Sequence, residues 1–157
     1  MIKPGHEHAN PNPELCAQCG GRCCKSMSCH LSPADAWRMC GEPVSLESLR
    51  RLLDEGNVSL DYWSGDIYPH RTYCRVYYLR MRHKGAQVCD PSWGGECILL
   101  TPTGCPLTFE QRPRGAQHLI PMEGFKCVSL YTKEQCASDW RPYNKLLERL
   151  WEEFKHG

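Results

Sequence analysis

The sequence predicts an α+β protein: a small irregular single domain with short helices, one or two β-hairpins, a metal-bound cysteine cluster and a C-terminal helix. Three observations carry that expectation. Leucines and aromatics recur at helical spacing behind residues that cap helices. A β-prone run ends on a Lys-Gly turn. Twelve cysteines fall in 157 residues, six of them between Cys16 and Cys40.

Taken in order, the first thirteen residues are polar and hold three prolines, which predicts a flexible N-terminal arm over 1–13 and places the cysteine-cluster metal-binding domain at 14–157. His6 and His8 read as solvated tail residues. Ser32-Pro33-Ala34-Asp35 has the pattern of a capped helix start, with serine as the cap, proline at the first helical position and aspartate reaching back. That helix runs to about Cys40, and Gly41 ends it. A second helix opens at Ser45 with Leu46, Leu49, Leu52 and Leu53 on one face and Gly56 as its stop.

Beyond a loop bearing Tyr62 and Trp63, the run from Arg71 to His83 reads as a strand, and Lys84-Gly85 turns it into Ala86-Gln87-Val88-Cys89 as a hairpin. Alternation sets Tyr73, Tyr77, Leu79 and Met81 on one face, with Cys74, Val76, Tyr78, Arg80 and Arg82 on the other, and the second face reads as wet. Glu96-Cys97-Ile98-Leu99-Leu100 is a further strand, turned back by Thr101-Pro102-Thr103-Gly104 onto Cys105-Pro106-Leu107. Thr132 with Gln135 forms a capping box for a helix through Trp140, and Pro142 kinks or restarts it. Tyr143, Leu146, Leu147, Leu150, Trp151 and Phe154 then form the apolar stripe of the C-terminal helix.

Nineteen Lys and Arg against eighteen Asp and Glu leave a formal net charge of +1, so no basic field indicates nucleic acid. No apolar stretch reads as a leader, an anchor or a membrane span. The chain is therefore expected in the cytoplasm, where thiols stay reduced and clustered cysteines bind metal or do redox chemistry. A thiolate site needs sulfurs about 2.3 Å from a shared ion, and the C-x2-C pair Cys16 and Cys19 meets that spacing. Cys97 and Cys105, on the two arms of the expected hairpin, supply a second pair, and Cys23 and Cys24 bring the candidates above the four that one tetrahedral zinc takes. Neither the ferredoxin spacings nor a zinc ribbon's paired knuckles are present. Four thiolates on a divalent ion leave two excess negative charges, for which Arg22, Lys25, Arg112 and Arg114 are candidate counter-charges.

Cys16-x2-Cys19-x3-Cys23-Cys24, Gly95-Glu96-Cys97-Ile98-Leu99-Leu100, Gly104-Cys105-Pro106-Leu107 and Arg112-Pro113 together resemble the YkgJ-like cysteine-cluster family, described as zinc- or iron-chelating domains. The resemblance runs from the opening cysteines to Pro121 and implies metal chelation, by zinc or by iron that includes an iron-sulfur cluster, with Cys16, Cys19, Cys23, Cys24, Cys97 and Cys105 as ligands. A distant relative, the flagellin lysine methylase, uses a similar cluster inside an enzyme. The family commonly has a cysteine three residues after Arg-Pro. Ala116 stands there in this chain, leaving Cys127, Cys29 or His118 to substitute, or a smaller site.

The leading expectation is thus a metal-binding protein whose partner is the metal ion itself. The alternatives are an iron-sulfur-dependent redox or methyl-transfer enzyme, lined by Tyr73, Tyr78, Arg80, Arg82 and His83, and a disulfide-stapled module. None of GxSxG, HExxH, a P-loop or GxGxxG occurs to mark a standard catalytic site.

Overall fold

In a computed structural model the chain is described over residues 28–64, 75–91, 94–102, 105–122 and 126–156. The expected arm, the opening cysteines Cys16, Cys19, Cys23 and Cys24, the cations Arg22 and Lys25, Tyr73, Cys74 and the turn residues Thr103 and Gly104 lie outside the described residues.

Strand β1, His30–Leu31, leads into helix α1, Pro33–Cys40. The expected capping box is formed, with the Asp35 amide donating to Ser32 Oγ at 3.2 Å and the Ser32 amide donating to Asp35 Oδ2 at 2.8 Å. Gly41 ends the helix in the left-handed region at φ 73°, where an L side chain is strained. Helix α2, Leu46–Asp54, is capped reciprocally by Ser45 and Ser48 and buries Leu49, Leu52 and Leu53. Truncating one such leucine to alanine costs about 2–5 kcal/mol.

Strand β2, Val58–Ser64, occupies what was expected to be a loop around Tyr62 and Trp63. Strand β3, Arg75–Met81, lies in the middle of a three-stranded antiparallel sheet of order β1-β3-β2. Its register sets Leu60 against Leu79, Tyr62 against Tyr77 and Asp61 against Tyr78, and sets His30 against Arg80 on the other side. The turn at Lys84-Gly85 forms, closed by the Ala86 amide on the His83 carbonyl at 3.0 Å. The segment after it does not return along β3, because β1 and β2 already hold both of that strand's edges. It crosses instead to the outer edge of β2, where Cys89 bridges Leu60. Glu96 to Leu100 likewise makes no strand. Cys97 forms an isolated bridge with His83, and a turn follows in which the Leu100 amide donates to the Cys97 carbonyl at 3.0 Å.

A 3-10 turn at Phe109–Gln111 and a short helix α3, Arg114–Gln117, precede a two-stranded hairpin, β4 Leu119–Met122 with β5 Lys126–Ser129. Helix α4, Lys133–Trp140, opens on the Thr132 and Gln135 capping box. Pro142 breaks the run into a 3-10 turn, Arg141–Tyr143, before helix α5, Asn144–Phe154.

The apolar face of the sheet meets α5 through Trp151, whose ring centroid lies 5.6 Å from Tyr62 and 5.4 Å from Tyr77. Trp140 is fully buried and donates from Nε1 to the Leu31 carbonyl at 2.6 Å. Helix α4 is thereby tied to β1. Among the described residues no helix is long and apolar enough to cross a membrane.

Candidate metal centre

Two of the six expected ligands, Cys97 and Cys105, lie within the described residues, and the structure sets them within electrostatic reach of each other. Cys97 is buried, and loss of solvation chiefly raises its thiol pKa; a negative charge on Cys105 raises it further. Two groups act the other way. The Leu99 backbone N–H donates to the Cys97 sulfur, and the Lys84 ammonium favours its thiolate. An N–H aimed back at sulfur from the following turn is what a thiolate ligand uses to spread its charge.

Three of the other thiols donate to backbone carbonyls. Cys40 donates to the Ser48 carbonyl, Cys89 to the Trp151 carbonyl and Cys136 to the Leu31 carbonyl, at 3.5, 3.6 and 3.3 Å. Each donates as a protonated thiol, and Cys136 also accepts from the Tyr131 hydroxyl. Burial raises all three, Cys89 to about 11.

Opposite Cys97 stands His83. The bonds flanking this pair, Lys84 N–H to the Glu96 carbonyl at 2.8 Å and Ile98 N–H to the Arg82 carbonyl at 2.9 Å, make it a non-hydrogen-bonded antiparallel pair. In such a pair the two side chains lie close together on one face. Gly95, two residues before Cys97, is the floor under the imidazole: a Cβ there would sit 2.8 Å from His83 Cγ. Glycine is required by that contact.

Around His83 lies a buried polar cluster. Arg80, 2% exposed, pairs through Nε with Asp61 Oδ2 at 3.3 Å and through Nη2 with Asp90 Oδ2 at 2.9 Å. Its Nη1 abuts the His83 ring and donates to Ser28 Oγ at 3.2 Å. Tyr78 donates to Asp61 Oδ2 at 2.6 Å, and burial with that carboxylate holds the phenol protonated. Lys133 stands 3.8 Å from the same carboxylate. The face of β3 expected to be wet is therefore dry, because Asp61 and Asp90 bring opposite charge to Arg80 from other segments. Asp61, Asp90, His30 and Lys133 carried no separate signal in the sequence, although the Val-Ser-Leu-Asp-Tyr-Trp alternation of residues 58–63 matches a strand.

The chain enters this cluster at Ser28. Its amide donates to His83 Nε2 at 3.2 Å, and the Cys29 carbonyl accepts from Met81 N–H at 2.9 Å. His30 follows edge-on to Tyr78, at 5.3 Å between ring centroids, and its burial depresses its pKa to about 4. Gly115 seals the other side, where a Cβ would meet the His30 backbone nitrogen at 2.5 Å and oxygen at 2.6 Å. The segments carrying Gly95-Glu96-Cys97 and Arg112-Pro113 thus both close on residues 28–30.

Of the residues expected to stand in for a cysteine at 116, His118 is buried against Tyr131, at 6.1 Å between ring centroids. Cys29 lies beside β3, and Cys127 lies on β5. The expected counter-charges have other partners: Arg112 Nε donates to the Leu107 carbonyl at 3.3 Å, and Arg114 stacks over Tyr131 and faces Asp139 at 3.7 Å. The cation beside Cys97 is Lys84. Among the described residues no group of three or more His, Cys, Asp or Glu is arranged to hold a metal ion. Comparisons with protein-family models, with curated proteins and with solved structures return no match.

Proposed function

We propose that the protein holds a zinc or iron thiolate centre, an iron-sulfur cluster included, built from the opening cysteines Cys16, Cys19, Cys23 and Cys24 together with Cys97 and Cys105. One observation carries the reading: Ser28, four residues after Cys24, is hydrogen-bonded to the histidine that stands beside Cys97. At roughly 3.3–3.6 Å per residue, four residues span at most about 14 Å. Chain length therefore allows Cys24 to reach the later pair, and the shared centre is what the proposal adds.

The chemistry of the donor set supports the same reading. Cys97 accepts a backbone N–H and feels a second thiol and a lysine, whereas Cys40, Cys89 and Cys136 each donate to a backbone carbonyl. The resemblance of the cysteine segments to the YkgJ-like family points to the same ligands. Metal displaces the proton that burial favours on Cys97, so uptake releases protons and is stronger at higher pH.

Elemental analysis of protein purified without oxygen tests the proposal. The expected result is zinc or iron at one or more atoms per chain, with a brown colour if iron is held with sulfide. Metal-free protein that keeps its fold and takes up neither ion would overturn it.

A further inference from the structure

We infer that Arg38 is a positioning residue for Cys105: its guanidinium, exposed on α1, grips the backbone carbonyls of Glu110 and Arg112 and so fixes the strap of chain, residues 105–112, that carries this thiol. The inference rests on the metal-binding reading above for what Cys105 holds, and adds a residue outside the thiolate set.

The grip starts from a buried anchor. Asp35 is fully buried, and its Oδ2 accepts from the Arg114 amide at 2.9 Å as well as from Ser32, which ties the chain just beyond the strap to the start of α1. Its Oδ1 pairs with Arg38 Nη2 at 3.2 Å and holds the guanidinium in place. From there Arg38 Nη1 donates to the Glu110 carbonyl at 3.1 Å and Nη2 to the Arg112 carbonyl at 3.2 Å. A planar fork suits two neighbouring acceptors in a way that a single ammonium does not. The strap is itself a small knot. The Thr108 amide donates to Gln111 Oε1 at 3.0 Å, the Gln111 amide returns to Thr108 Oγ1 at 3.4 Å, and Arg112 Nε closes on the Leu107 carbonyl at 3.3 Å. Only Pro106 separates Leu107 from Cys105, and a proline fixes its own φ while holding the residue before it to extended conformations. A grip on residues 110 and 112 is therefore passed on to residue 105, with Arg112 as the internal brace.

The test uses the full chain, purified without oxygen, and compares wild type with Arg38→Leu, Arg112→Leu and Arg51→Leu, the last removing an α2 arginine that pairs with Glu42 instead. Alkylation by iodoacetamide is followed at Cys105 and Cys136 by peptide mass mapping, and zinc affinity is measured by chelator competition. The expected result is that Cys105 reacts about 3- to 10-fold faster in Arg38→Leu and Arg112→Leu while Cys136 keeps its wild-type rate, that zinc affinity falls about 10-fold in both, and that Arg51→Leu matches wild type. A wild-type Cys105 rate in folded Arg38→Leu would overturn the inference. So would an equal rise at Cys136, which would mean that the whole fold has loosened, or an equal rise at Cys105 in Arg51→Leu, which would reduce the effect to lost surface charge. If Arg38→Leu does not fold, a wild-type Cys105 rate in folded Arg112→Leu overturns it equally. Faster Cys105 alkylation in a protein whose wild type binds no zinc supports the grip and removes the metal-binding reading instead.

Discussion

The backbone of His30 lies directly on Gly115, so close that a single methyl group at 115 would reach 2.5 Å from the His30 nitrogen. The strand that follows the opening cysteines is thereby fixed against the segment that follows Arg112-Pro113. Gly115→Ala must push one backbone off the other, a cost of about 1–3 kcal/mol or more. Gly41→Ala, at φ 73° with open space around its Cβ position, loses only the conformational preference, about 1 kcal/mol. Urea denaturation of both variants at fixed metal loading checks the difference; equal losses would mean that the close approach at Gly115 is not real.

Arg80 and Asp61 are both almost fully buried, so neither tolerates the loss of the other. Arg80→Met leaves Asp61 and Asp90 in the interior with less cation to face, and stability should fall by about 3–5 kcal/mol. Adding Asp61→Asn removes one orphaned charge, so the double variant should be more stable than the sum of the two single losses. A double-mutant cycle by denaturation measures this, and strict additivity would show that the two side chains do not interact.

His30 gives the fold a pH dependence of known sign. Burial lowers its pKa from 6.5 to about 4, so between those values the unfolded chain binds a proton that the folded ring refuses. Stability is full above about pH 6.5 and drops as pH falls toward 4, by on the order of 3 kcal/mol. His30→Gln should flatten the stability curve across that window relative to wild type. An unchanged slope in the variant would assign the loss to other groups.

Caps and periodic leucines made α1, α2, α4 and α5 legible in the sequence, since Ser32, Ser45, Thr132 and Pro142 act on their own neighbours. The sheet was only half legible. Strand β3 follows from its β-branched and aromatic residues, but its partners come from residues 30–31 and 58–64, and no local pattern specifies which segment fills an edge. The same distance hid the polar cluster. Arg80 and Tyr78 read as surface residues until Asp61 and Asp90 are seen to meet them, and Asp61 in turn reads as a loop residue until β2 is paired. For the candidate site, Cys97 and Cys105 were expected on the two arms of a hairpin whose first strand does not form, whereas His83 was named only as the lining of a wet strand. The signal available was Gly95, whose missing side chain is the space the imidazole takes.

Cys136 is a thiol that the proposed ligand set leaves out. It is fully buried, and its S–H donates to the Leu31 carbonyl, a bond that a serine hydroxyl can keep. Cys136→Ser should cost about 1 kcal/mol and leave metal content unchanged. Metal loss in that variant, with the fold retained, would move Cys136 into the ligand set.

The central claim is that thiols from the start of the chain and the pair at 97 and 105 share one centre. Metal per chain in Cys19→Ser, Cys97→Ser and Cys136→Ser, purified side by side without oxygen, tests it most directly. The account predicts that the first two lose metal together and the third keeps the wild-type content. Full retention in either Cys19→Ser or Cys97→Ser, or the same content in all three, would contradict it.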